Sequence, residues 1–132
     1  MLAGKCLCGA VHYKVADEFA YALNCHCSDC RRATGSAFKP FAGIERGKLA
    51  ITQGEDAVMI YGKKDAGDIH CAKCGSLLYS VVRDGQFVHV TLGTLVGELL
   101  LRRRFGRLGS RRVVRTYIKV AVAAVWGAAV AL

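Results

Sequence analysis

The chain has 132 residues, a net charge of +9, and 53% hydrophobic against 22% charged residues. That length suits one small domain and leaves no room for a separate cofactor domain, while the apolar content excludes a disordered chain. The basicity is not evenly spread: residues 1–97 hold 11 Lys and Arg against 9 Asp and Glu, whereas residues 98–132 hold 8 against 1, so the high pI describes the tail and does not by itself indicate a nucleic-acid partner.

In chain order, Val11-His12-Tyr13-Lys14-Val15 alternates and is rich in β-branched and aromatic residues, as a half-buried strand requires. Tyr21 to Asn24, Ala37 to Phe41, Leu49 to Thr52, Val58 to Tyr61, Leu77 to Val82 and Phe87 to Leu92 follow as further short strands. Arg83-Asp84-Gly85-Gln86 sets an Asp-Gly pair between the last two and predicts a hairpin. Glycines at 35, 43, 47, 54, 62 and 67 are read as turns, and nothing before residue 95 keeps a helical apolar period over three turns. The expected domain is mainly β.

From about Val96 the character changes. Leu99 to Leu101 leads into an Arg-rich run ending at Lys119, and the last thirteen residues, Val120 to Leu132, are almost wholly apolar. Thirteen are too few to span a bilayer, which takes about 20. Helix is the favoured local state for this stretch of Leu, Arg and Ala, which should pack poorly on the rest and leave Val120–Leu132 sticky. Peripheral contact with an anionic membrane is the lesser reading; a GC-rich gene read out of frame would also yield this mixture.

Seven cysteines would suggest a disulfide scaffold in a secreted protein. Met1-Leu2-Ala3-Gly4-Lys5-Cys6, however, lacks the apolar core of a signal peptide. A cytoplasmic location is expected, and there tightly spaced cysteines favour metal thiolates over disulfides. They form three clusters: Cys6-x-Cys8 before Gly9, Cys25-x-Cys27-x-x-Cys30, and Cys71-x-x-Cys74 before Gly75. A glycine after such a pair lets the backbone turn toward the sulfurs. Cys6, Cys8, Cys71 and Cys74 would complete a closed tetrahedral zinc site that clips the N-terminal strand to a hairpin more than sixty residues away.

Cys25, Cys27 and Cys30 are then left with no fourth cysteine. Three protein ligands and an open position define a catalytic zinc site. Two other readings stay open: a second structural site completed by His26, His70 or a partner, and a disulfide among these thiols. His26 lies between two ligands in sequence, so its side chain is expected to point away from their metal. Arg31 and Arg32 could neutralise the site or bind a substrate carboxylate, or simply be solvated. Ser28, Asp29, Tyr61 and Tyr79 are lesser candidates for carrying protons.

Gly4-Lys-Cys6-Leu-Cys8-Gly9-Ala-Val11, Cys25-His-Cys27-Ser-Asp-Cys30-Arg, Gly35-Ser-Ala-Phe38, Cys71-Ala-Lys-Cys74-Gly75-Ser and Leu92-Gly93-Thr94-Leu95 together resemble the glutathione-dependent formaldehyde-activating enzyme family, also called GFA or CENP-V-like. Each motif is weak alone, but their order and spacing over residues 1–95 are specific. The resemblance implies a β-tent fold and two zinc ions per chain, a structural one on Cys6, Cys8, Cys71 and Cys74 and a catalytic one on Cys25, Cys27 and Cys30. It also implies a carbon–sulfur lyase that joins glutathione and formaldehyde as S-hydroxymethylglutathione. Family members usually continue with an acidic or Asp-Pro segment, an Arg-Pro, a His-containing strand and a Ser-Lys-x-Pro-Trp turn, none of which follows Leu95 here.

The expected organisation is a zinc domain over 1–95 and an atypical basic and apolar tail over 96–132. The expected partners are a small thiol and a small aldehyde. The competing class is a zinc-stabilised binding module without catalysis, whose tail contacts nucleic acid or an anionic membrane with steep salt dependence.

Overall fold

The computed structural model describes residues 1–96. The expectations for the tail (helix, poor packing, membrane contact, an exposed Val120–Leu132 and an out-of-frame origin) fall on residues outside that range. Among the described residues, no helix is long and apolar enough to cross a membrane.

Ten strands form two antiparallel sheets. The smaller has the order β10 (Leu95–Val96), β1 (Leu2–Lys5), β2 (His12–Val15), β5 (Leu49–Gln53). The larger has the order β3 (Tyr21–Cys25), β4 (Lys39–Glu45), β9 (Phe87–Thr91), β8 (Leu77–Val82), β7 (Gly67–Cys71), β6 (Val58–Gly62). One short helix, α1 (Ser28–Thr34), follows β3. The mainly β expectation holds, and all seven anticipated strands form, with ends displaced by up to a few residues.

Side-chain alternation builds the core. Tyr13 and Val15 of β2 meet Ala42 and Ile44 of β4, Val88 and Val90 of β9, and Tyr79 and Val81 of β8 in one buried cluster. Tyr13 joins the sheets, edge to face on Tyr79 at 6.4 Å. Its hydroxyl lies 2.7 Å from that of Thr94, which donates to the Thr91 carbonyl at 2.8 Å. Thr94 thereby fixes the turn that leads into β10.

The β8–β9 hairpin forms as expected. Asp84 and Gly85 occupy the centre of a turn closed by Gln86 N–H on the Arg83 carbonyl, both with positive φ, as a type I′ turn requires. Gly43 corrects the sequence reading, because it lies within β4 rather than in a turn. It pairs directly across from Tyr21, whose ring occupies the space a β-carbon would need. Gly4 and Tyr13 form an equivalent pair between β1 and β2. A ring covering a cross-strand glycine restores the burial the glycine lacks. Gly43→Val should therefore displace Tyr21 and lose about 1–3 kcal/mol of stability by overpacking, read as a lower denaturation midpoint at unchanged zinc content. An unchanged midpoint would contradict this packing.

Three strands and the helix were not anticipated: β1, β7, β10 and α1. The helix buries no residue and spans two turns, so it has no apolar stripe to detect. It is set instead by its ends, with the Cys27 side chain accepting from Cys30 N–H and Gly35 closing it in a left-handed conformation.

Candidate metal centres

The three cysteine clusters of the sequence become two in space. Cys6, Cys8, Cys71 and Cys74 bring four sulfurs within 4.8 Å of one another, as do Cys25, Cys27 and Cys30 with three. All seven thiols are free.

The four-cysteine cluster is made by two matching turns, one after β1 and one between β7 and β8. Gly9 and Gly75 both take φ 74°, a left-handed conformation that a side chain would strain. Gly9 N–H bonds the Cys6 carbonyl at 3.2 Å and Gly75 N–H the Cys71 carbonyl at 2.8 Å. Val11 N–H then donates to Cys6 Sγ at 3.3 Å. Ser76, to which the sequence reading gave no role, ties the turns together: its hydroxyl accepts from Leu7 N–H at 3.0 Å and lies 3.3 Å from Cys74 Sγ. The Ser76 hydroxyl and backbone N–H hold the Cys74 thiol down to about 5. Cys6 and Cys71 are buried in the core, whereas Cys8 is exposed.

The spacing fits a tetrahedral ion. Four sulfurs about 2.3 Å from zinc would stand about 3.8 Å apart, and here Cys6–Cys8 is 3.6 Å and Cys8–Cys71 is 3.8 Å. Such separations are far from the roughly 2 Å of a disulfide. The cluster could hold one metal ion with no position left over.

The three-cysteine cluster sits where β3 runs into α1. Cys25 ends the strand, Cys27 caps the helix, and Cys30 lies one turn on. Cys25 and Cys27 sulfurs are 3.4 Å apart, again near a tetrahedral edge. The Cys30 N–H, donated at 3.4 Å, leads the interactions that draw the Cys27 thiol down. Burial pushes Cys30 up to about 12. Such opposed demands on neighbouring thiols are relieved when a cation displaces the protons they would share.

No fourth ligand atom joins this trio among the described residues. The His26 ring lies instead against Phe38, centroids 5.4 Å apart. His70 Nδ1 lies 3.1 Å from the Gly75 carbonyl, beside the other cluster. Arg31 and Arg32 project from α1 into solvent, Arg32 4.0 Å from the exposed Asp29. Ser28 is also exposed and lies 3.4 Å from Asp29. Tyr61 is exposed on the edge strand β6, and Tyr79 belongs to the core.

A polar group absent from the sequence reading begins at Lys39, which pairs across from Cys25. Lys39 is buried, and its ammonium donates to Ser80 Oγ at 2.5 Å; Ser80 in turn donates to Asp68. The available signal was a lysine inside an otherwise apolar strand.

Two antiparallel sheets pinned by a four-thiol cluster, with a three-thiol cluster at a strand-to-helix junction, define a class of cysteine-rich metal-site β domain. The family described as glutathione-dependent formaldehyde-activating enzyme (GFA) matches residues 1–104, and the chain belongs to it. It is 31% identical over 83 residues to an uncharacterized lyase of Schizosaccharomyces pombe, covering 63% of this chain and 59% of that protein. It is 30% identical over 86 residues to a "Putative glutathione-dependent formaldehyde-activating enzyme" of Halomonas elongata, covering 60% and 55%. The chain thus spans less than two thirds of the length of these curated relatives. A crystal structure of a Rhodobacter sphaeroides protein is similar with a TM-score of 0.62 and 27% identity, covering 81% of this chain and 97% of that one.

Proposed function

We propose that the chain is a zinc-dependent carbon–sulfur lyase that joins glutathione, or a similar thiol, to formaldehyde or another small aldehyde. The observation that carries this reading is the contrast between the clusters: four thiols grouped in one, and three in the other with no fourth ligand atom among the described residues. Family membership and the lyase name of the fission-yeast relative support it.

In this reading Cys6, Cys8, Cys71 and Cys74 hold a structural zinc, and Cys25, Cys27 and Cys30 hold a catalytic one. The proposed zinc domain is residues 1–95, with 96–132 an atypical tail. A zinc ion held by Cys25, Cys27 and Cys30 would supply Lewis acidity and lower the pKa of a thiol brought to it. The chain's own residues hold and orient. Cys27 accepts Cys30 N–H, which fixes its exposed sulfur at the start of α1. Arg31 and Arg32, exposed on that helix, are the groups this reading gives to a substrate carboxylate. In the reaction the thiol sulfur forms a bond to the carbonyl carbon, the C=O π pair moves to oxygen, and the thiol's proton ends there. The product is a hydroxymethyl thioether, with no net change in protons or electrons.

The test is the initial rate of glutathione thiol loss in formaldehyde, compared with the spontaneous rate. Acceleration that saturates in glutathione and is lost on zinc chelation is expected. A zinc-loaded chain that adds nothing to the spontaneous rate would contradict the proposal and favour a binding module.

A further inference from the structure

The larger sheet has two edges, and they are finished differently. β3 leads into helix α1, whereas β6 is paired only on its β7 side among the described residues. Its sequence, Val58-Met59-Ile60-Tyr61-Gly62, holds no charge and no proline, the residues that usually guard an open edge. Met59, Ile60 and Tyr61 are nonetheless exposed, Tyr61 by 75%. Successive side chains alternate, so apolar surface lies open on both faces of this edge.

The backbone groups of the edge follow from its pairing. Lys63 and Ala66 exchange hydrogen bonds at 3.2 Å across the turn to β7, and Ala72 N–H bonds the Ala57 carbonyl at 2.8 Å. Bonded pairs alternate along an antiparallel ladder, so Met59 and Tyr61 bond to β7 while Val58 and Ile60 turn N–H and C=O to the open edge. An antiparallel copy of the same strand meets those groups if a two-fold axis passes beside Ile60. Ile60 then exchanges both bonds with the second copy's Ile60. Val58 faces the second copy's Gly62, which has no side chain to crowd it, and Met59 lies across from the second copy's Tyr61.

The charges at the ends of β6 fit the same register. Glu55 and Asp56 precede the strand and Lys63 and Lys64 follow it; all four are exposed, and among the described residues none belongs to an ion pair. Antiparallel pairing about Ile60 sets Asp56 across from the second copy's Lys64, twice by symmetry. Asp65, the remaining charge of that turn, lies instead near Gly85 of the β8–β9 hairpin. Parallel pairing would set acid against acid and base against base.

We propose that β6 is a self-complementary interface through which two copies of this chain form a two-fold dimer, their larger sheets joined edge to edge. Neither the cysteine clusters nor turnover enters the argument.

The test is sedimentation velocity of the zinc-loaded full-length chain over a concentration series, with zinc per chain and circular dichroism recorded for every variant. Wild type should pass from monomer to dimer as concentration rises. Ile60→Pro removes an N–H that β7 does not use, and should raise the dimer dissociation constant roughly tenfold or more. Asp56→Lys and Lys64→Asp should each weaken association as well, because each brings like charges together twice. Both substitutions in one chain should restore the wild-type dissociation constant. A chain that stays monomeric throughout, or association that none of these substitutions changes, would overturn the proposal. If Ile60→Pro loses zinc or the fold, the charge exchange decides alone: restoration by the double substitution supports the interface, and additive weakening overturns it.

Discussion

Cys74→Ser should leave the chain unfolded or aggregated even in excess zinc. Cys74 joins three other sulfurs drawn from two turns, one after β1 and one between β7 and β8, that are more than sixty residues apart in sequence. Cys6 and Cys71 lie in the hydrophobic core, so an ion there is part of the packing rather than an addition to the surface. Apparent binding free energies of structural zinc are about 10–16 kcal/mol, against a total stability of about 5–15 kcal/mol for a domain. Removing one ligand also leaves buried thiols whose charge nothing balances. Far-UV circular dichroism with zinc counted per chain checks the prediction. A Cys74→Ser chain that stays folded at one zinc per chain would contradict it.

Cys27→Ser should do the opposite, keeping the fold and about one zinc while bringing thiol consumption down to the spontaneous rate. Cys27 is exposed and its helix buries nothing, so little packing depends on it. Serine is also a favoured helix N-cap and can accept the Cys30 N–H as the sulfur does, which leaves α1 in place while the thiolate is gone. With two thiols left, the trio can no longer hold an ion firmly. Retained turnover would contradict the catalytic assignment; loss of both ions and of the fold would contradict the division of labour between the clusters.

Much of this was legible in the sequence because the relevant signals are local. Alternating β-branched and aromatic residues marked seven strands, and Asp84-Gly85 marked a hairpin whose turn needs positive φ. The cysteine spacings and following glycines marked both knuckles before any pairing was known. What escaped depends on contacts between distant residues. Gly43 reads as a turn until Tyr21 is seen above it. Helix α1 has no apolar face, and β7 places only Ile69 and Cys71 in the core among polar or glycine neighbours. Lys39, Ser80 and Asp68 come from three strands, and nothing in a single strand says that a lysine will be buried beside a hydroxyl and a carboxylate. Ser76 and Thr94 are similar cases: both stand in recognisable motifs, but their hydrogen bonds to Leu7 N–H and the Tyr13 hydroxyl cross 69 and 81 residues of chain.

The central claim is that the three-cysteine site has a position open to an external thiol. Cobalt substituted for zinc reports this directly, because the intensity of thiolate-to-metal absorption follows the number of sulfurs bound and the ligand-field bands follow coordination geometry. Millimolar glutathione should strengthen that absorption saturably in the wild-type chain and leave the spectrum of Cys27→Ser, which retains only the closed site, unchanged. A wild-type spectrum that does not respond to glutathione would contradict the claim.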